Sequence, residues 1–127
     1  MMKIGYKYGL LLVDITLTFN GKSKLIENMV VDTGATRTLI SQDVVEDIGL
    51  HVDLHDRIVT YFGVGGKEHA FRKQVDKIQI NDFVADHIEV DFNDFGYYDI
   101  NGLLGLDLLM KAGFNIDLLN LEMNMTS

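Results

Sequence analysis

The sequence predicts a mainly-β fold, and three observations carry that prediction. Short segments that alternate apolar and polar residues, or run apolar for the length of a strand, follow one another along the chain with turn residues between them. Helical spacing is confined to two short stretches, Gln42 to Ile48 and Leu106 to Ala112. Asn20-Gly21, the strongest short hairpin signal, stands between two strand segments. With 127 residues, 47% of them hydrophobic, the chain can bury a real core, and the length prior gives one domain spanning residues 1–127.

The elements follow in order. Leu10 to Phe19 opens apolar and becomes alternating, and Lys22 to Val31 rises from the Asn20-Gly21 turn as its hairpin partner. Asp32-Thr33-Gly34 then interrupts the apolar pattern, which resumes at Thr38-Leu39-Ile40. Ser41 is positioned as an N-cap for a helix over Gln42 to Ile48, with Gly49 as its stop. Ile58 to Phe62 and Ala70 to Val75 flank Gly63-Val64-Gly65-Gly66-Lys67, which reads as a long hairpin with a glycine-rich tip. Lys77 to Ile80 and Phe83 to Phe92 are further strands about the Asn81-Asp82 turn. Ile100 to Gly105 is an apolar-glycine corner before a helix over Leu106 to Ala112, stopped by Gly113, and Phe114 to Met123 is the last strand. Strand, glycine corner and short helix thus occur twice, at Val30–Gly49 and Ile100–Gly113, a hint of internal pseudo-symmetry.

Composition narrows the function. A formal net charge of −8 argues against nucleic acid, which calls for clustered Lys and Arg. Zero cysteines exclude a disulfide framework, a thiolate metal site and a cysteine nucleophile. The first residues lack the continuous apolar region of a signal peptide, and Leu10 to Val13 is too short to cross a bilayer, so a soluble, cytoplasmic protein is expected. His51 and His55, four apart with Asp53 and Asp56 nearby, invite a metal site, but the pattern offers no third ligand and surface histidines are expected. Neither a metal nor another cofactor is expected. The run Asp82, Asp86, Glu89, Asp91, Asp94 reads as a solvated face, and Asp107 as a charge at a helix start. Arg37 could meet substrate, hold a dimer by an ion pair, or serve structure alone.

The informative stretch is Val30-Val31-Asp32-Thr33-Gly34-Ala35. A carboxylate at the exit of an apolar strand is either a turn Asp bonded to its own backbone or a group held in a cleft. The tripeptide Asp-Thr-Gly alone arises by chance in about a few per cent of chains of this length. The paired valines before it, the glycine-tipped hairpin, and Gly102-Leu103-Leu104-Gly105 ahead of a helix make a far more specific set. Together, over roughly Leu10 to Met123, they resemble the retropepsin-like aspartic proteases, the single-domain homodimeric relatives of pepsin.

The resemblance implies a closed acid-protease β-barrel with two short helices and a catalytic carboxylate at Asp32. Thr33 would lock paired loops through its hydroxyl, Gly34 would admit backbone to the carboxylates, and Ala35 would lie beside substrate main chain. Gly63, Val64, Gly65 and Gly66 would form a flap over the substrate, while Leu103-Leu104-Gly105 would cross beneath the Asp32 loop. Only one Asp-Thr-Gly is present and the chemistry uses two carboxylates, so the resemblance implies a homodimer with one Asp32 from each chain, acting on protein or peptide. Leu106-Asp107 after the crossing segment departs from the Arg or Asn frequent in retroviral members and is closer to cellular and bacterial relatives. The alternative from another class is a catalytically silent dimeric peptide-binding module with the same fold.

Overall fold

The computed structural model of the chain describes residues 1–63, 66–94 and 99–125. Its strands are β1 (Met2–Lys3), β2 (Gly5–Lys7), β3 (Leu10–Phe19), β4 (Lys22–Val31), β5 (Leu39–Ser41), β6 (Arg57–Gly63), β7 (Gly66–Ile80), β8 (Phe83–Asn93), β9 (Gly102–Leu104), β10 (Phe114–Asp117) and β11 (Glu122–Met125). A 3-10 helix covers Gln42–Ile48 and one α-helix, α1, covers Leu106–Ala112. The larger sheet runs β2-β3-β4-β9-β5-β8-β7-β6, and a further pairing of β3 with β7 closes the strands from β3 to β7 into a barrel. β1, β11 and β10 form a separate sheet of three strands. The expected mainly-β barrel with two short helices is thus the observed fold.

The hairpin β3–β4 turns at Asn20-Gly21, whose φ angles of 50° and 79° are those of the tight turn that fits strand twist. Both turn N–H groups donate to the Asp76 carboxylate, at 3.1 and 2.9 Å, so the tip is pinned to β7. That contact also explains why β7 is one strand of 15 residues where the sequence reads two. Asp76 interrupts the apolar pattern, and the pairing with β8 skips it, but the register resumes in phase at Lys77 opposite Asp86 while the Asp76 side chain is occupied by the neighbouring turn. The amino-terminal half of β7 pairs with β6 and its other end with β3.

Two further departures have local causes. The expected last strand is split into β10 and β11, since Asp117 Oδ1 accepts the N–H groups of Leu119 and Asn120, both at 3.0 Å, and turns the chain back. Ser41 occupies the N-cap position as expected but makes no side-chain capping bond: it is also the buried last residue of β5, paired with Asn93, and the segment that follows is a 3-10 helix rather than an α-helix. Gly49 and Gly113 do end their helices, with φ of 80° and 67°.

The core lies inside the barrel. Ile15, Leu17, Ile26, Met29, Ile40, Ile78, Phe92 and Leu104 are fully buried, and α1 adds Leu108, Leu109 and Ala112. Burying an aliphatic or aromatic side chain contributes about 1.5–3 kcal/mol each, so these positions dominate the stability of the fold.

Candidate active site

The sequence-predicted Asp32 stands one residue beyond the end of β4, and the path of β9 fixes where its carboxylate goes. β9 runs parallel to β4, with Val31 opposite Leu104, and antiparallel to β5, with Leu39 opposite Leu103. The crossing segment therefore passes between the two strands that bound the Asp-Thr-Gly loop. The Asp32 N–H donates to Leu104 O at 3.0 Å, extending the β4–β9 pairing into the loop. Gly102 has to be glycine here: a Cβ would come within 2.3 Å of Leu39 O and 2.9 Å of Met29 Sδ.

The loop itself is tight. Gly34 N–H donates to Asp32 Oδ1 at 2.9 Å, and Ala35 N–H to Asp32 O at 3.2 Å. Asp32 and Ala35 are half-buried, whereas Thr33 and Gly34 are exposed. The carboxylate is thus oriented by its own loop and left open to solvent on one side.

Helix α1 supports the loop from below. The first N–H groups of any helix lack intrahelical partners. In α1, Leu106 N–H donates to Ala35 O at 2.8 Å and Asp107 N–H to Thr36 O at 3.2 Å. Thr38, fully buried, completes the tie: its hydroxyl accepts the Gly105 N–H at 3.1 Å and donates to Asp107 Oδ1 at 2.7 Å. Asp107 is therefore more than a charge near a helix dipole; its Oδ1 accepts hydrogen bonds from the Thr38 hydroxyl and the Leu108 N–H. Gly105 lets these parts meet, since a Cβ would stand 2.6 Å from the Arg37 carbonyl carbon and 2.9 Å from Ala35 O.

Of the hairpin positions, Gly63 closes β6 opposite Gly66, which opens β7, while Val64 and Gly65 lie outside the described residues. The hairpin predicted between Ile58 and Val75 is present.

One group was misread from the sequence. Asp91, assigned to a solvated acidic face, is fully buried, while Asp82, Asp86, Glu89 and Asp94 are exposed as expected. Arg72 grips the Asp91 carboxylate with both arms, Nε at 2.7 Å and Nη2 at 3.1 Å. Tyr61 on β6 donates its hydroxyl to the same carboxylate, and Arg37 Nε lies 3.5 Å from it while Arg37 Nη2 donates to Glu89 O at 3.1 Å. Burial, followed by the hydrogen bond to Asp91 and its negative charge, pushes the Tyr61 phenol up to about 12. The clue was available: Asp91 sits between Val90 and Phe92, the same apolar setting that drew attention to Asp32.

The two aspartates beside His51 and His55 hold a cation of the chain itself. Both histidines are exposed, and Asp53 and Asp56 take Lys73 Nζ at 2.9 and 2.8 Å. Among the described residues, no group of three or more His, Cys, Asp or Glu side chains is arranged to hold a metal ion. No helix of the described residues is long and apolar enough to cross a membrane.

Comparison with known proteins decides the family. The sequence profile of the family described as "Aspartyl protease" matches residues 15–108, which include both β-strands and the loop around Asp32 as well as the crossing segment. The chain belongs to the aspartyl protease family. Its fold is also that of a solved relative, a retropepsin-like aspartic protease from Rickettsia conorii, with a TM-score of 0.66 and 23% identity over 92% of this chain and 83% of that one. No curated protein matches the sequence. In this aspartyl protease family member, the matched segment begins within β3 and ends in the first turn of α1, so it contains the Asp32 loop, the crossing segment and the helix start that is bonded to the loop.

Proposed function

We propose that the chain is an aspartic endopeptidase, active as a homodimer in which Asp32 from each copy forms the catalytic pair. The observation that carries the reading is the seating of Asp32. Its carboxylate is oriented by Gly34 N–H, its backbone is tied to Leu104, and it stays open to solvent on one side, in a chain with a single Asp-Thr-Gly. The bond to Gly34 is one that a structural turn Asp also makes; the tie of the Asp32 backbone to β9 and of its loop to α1 is support such a turn does not need.

The chemistry follows from the pair. Two carboxylates about 3 Å apart cannot both ionise readily, and the aspartic-protease dyad is the known case of two such groups sharing one proton. The ionised member takes a proton from a water molecule as that water attacks the peptide carbonyl, and the protonated member donates to the carbonyl oxygen. No covalent intermediate forms. The titration belongs to the pair rather than to one Asp32. Thr33, exposed beside Asp32, is assigned to meeting its counterpart across the two-fold axis, and half-buried Ala35 to bordering the substrate main chain. Gly63, Val64, Gly65 and Gly66 are assigned to the flap that covers an extended peptide.

The test is Asp32→Asn. Wild-type protein incubated with a mixed peptide library from acidic to neutral pH should yield internal cleavages, and the variant should yield none. Cleavage that persists in Asp32→Asn refutes the reading. Peptide binding of equal affinity in both proteins, with turnover by neither, would instead identify the silent binding module. Sedimentation in the same buffers should show a dimer that tightens on mild acidification, as protonation relieves the repulsion between facing carboxylates. A strict monomer at high concentration could not assemble the pair.

A further inference from the structure

The buried carboxylate of Asp91 joins parts of the chain that the peptidase reading gives separate tasks. Tyr61 belongs to β6, the outer strand of the glycine-tipped hairpin, and β6 is the edge of the larger sheet, with β7 as its paired neighbour. Arg37 belongs to the loop that starts at Asp32, five positions earlier in the chain. Arg72 and Asp91 are directly opposite each other on β7 and β8. Beyond its ladder to β7, β6 makes an exposed ion pair to β8, Arg57 Nη2 to Glu89 Oε2 at 3.9 Å, which fixes its tilt only weakly. Along β6, Ile58 and Phe62 are exposed, so the hairpin is not anchored through those side chains. The hydroxyl of Tyr61 on Asp91 is a tie between β6 and the body of the barrel that does not run through the β6–β7 ladder.

We propose that Asp91 is a brace that registers the hairpin against the Asp32 loop, with Tyr61 and Arg37 as positioning residues for the cleft between them. The site is built for permanence. A carboxylate with no solvent exposure keeps its charge only if it is paired and hydrogen-bonded, and here two guanidiniums and a phenol surround it. The hydrogen bond that Arg72 donates to Asp91 also holds Arg72 more firmly in its charged form. The phenol is the one neutral member, and it is the member on β6, the outer strand of the hairpin. Its bond can open without leaving Asp91 unpaired, because Arg72 remains bidentate. The geometry therefore allows β6 to lift from Asp91 while the carboxylate, Arg72 on β7 and the Arg37 loop stay together, and gives it one defined place to return to.

The catalytic consequence rests on the proposed peptidase activity; the brace itself does not. Tyr61→Phe removes the hydroxyl and keeps the ring. Amide hydrogen exchange of the full-length protein should then speed up in β6 by on the order of ten- to a hundredfold, the range set by losing a hydrogen bond to a charged group, with β3 and β4 unchanged. A control of matched global stability, Ile26→Val in the core, should change exchange without singling out β6. On a peptide that the wild type cleaves, Tyr61→Phe and Arg37→Gln should each raise KM several-fold with kcat little changed, as expected when binding energy common to ground and transition states is lost. Simple loss of folded protein would lower apparent kcat and leave KM alone. The two substitutions combined should raise KM by less than the product of their separate effects, since both act on one carboxylate. The brace is overturned if exchange in β6 is unaltered by Tyr61→Phe or rises no more than elsewhere. If the wild type cleaves no peptide, the peptidase reading falls and the exchange comparison still decides the brace.

Discussion

Replacing Gly105 by alanine tests whether the Asp32 loop and α1 are packed as closely as the structure has them. The backbone at Gly105 is extended, φ −94° and ψ −179°, which alanine adopts without strain. On conformational grounds alone, Gly105→Ala should therefore stabilise by about 0.4–1 kcal/mol through the unfolded chain. Packing says the opposite. The new Cβ would stand 2.6 Å from the carbonyl carbon of Arg37, 2.7 Å from its oxygen and 2.9 Å from Ala35 O, all backbone atoms. Ordinary contact begins at 3.4 Å, so relief requires the loop and helix to part by about 0.8 Å. The same movement would carry the 2.8 Å bond from Leu106 N–H to Ala35 O beyond hydrogen-bonding distance. Overpacking of this kind costs about 1–3 kcal/mol and the broken bond about 1 more, which outweighs the entropic gain. The expected net loss is about 2 kcal/mol, or a fall in Tm of roughly 6–10 °C for a chain of this length. Thermal and urea unfolding of the purified variant measure it. Gly105→Ser separates collision from capping, because serine is a favoured N-cap yet carries the same Cβ. A Gly105→Ala protein as stable as wild type, or a Gly105→Ser protein restored to wild-type stability, would refute the packing argument.

Thr38→Val keeps the buried volume but removes the hydroxyl that accepts Gly105 N–H and donates to Asp107, so the urea midpoint should drop by the equivalent of about 1–3 kcal/mol with unchanged slope. Lys73→Met tests the pair of carboxylates around that cation through the pH dependence of stability. Burial by itself would lower the Lys73 pKa, but hydrogen bonds to Asp56 and Asp53 outweigh it and raise it above the ordinary 10.5, while the bond from Lys73 holds Asp53 below 3.8. A raised lysine stabilises the fold below its unfolded pKa and loses that contribution as pH climbs through its folded pKa; a lowered aspartate contributes above its unfolded pKa and loses it as pH falls. The stability gap between wild type and Lys73→Met should accordingly be widest between about pH 4 and 10 and close at both extremes, read from chemical denaturation across pH. A gap that is flat across that range, or widest outside it, would show that Lys73 acts through its alkyl chain alone.

Local pattern determined much of this protein. Alternation placed β3, β4, β6 and β8, the Asn20-Gly21 pair set the first hairpin, and Gly49 and Gly113 marked the helix ends, because each depends on a few neighbouring φ/ψ angles and side chains. The motif at Asp32 and the glycines at 102 and 105 were visible for the same reason, as short residue combinations with a local steric meaning. What the sequence left open depends on partners far away along the chain. The continuity of β7 is decided by a turn 55 residues earlier that occupies Asp76. Ser41 reads as a cap but is claimed by the ladder to β8, and Asp107 reads as a helix charge but answers to Thr38, 69 positions away. Asp91 is the sharpest case. Alternation along one strand cannot show that Arg72, Arg37 and Tyr61 converge on it from other segments, and only that convergence makes a buried charge tolerable. Short-range sterics are written residue by residue, whereas the partner that satisfies a buried polar group is chosen by how the barrel closes.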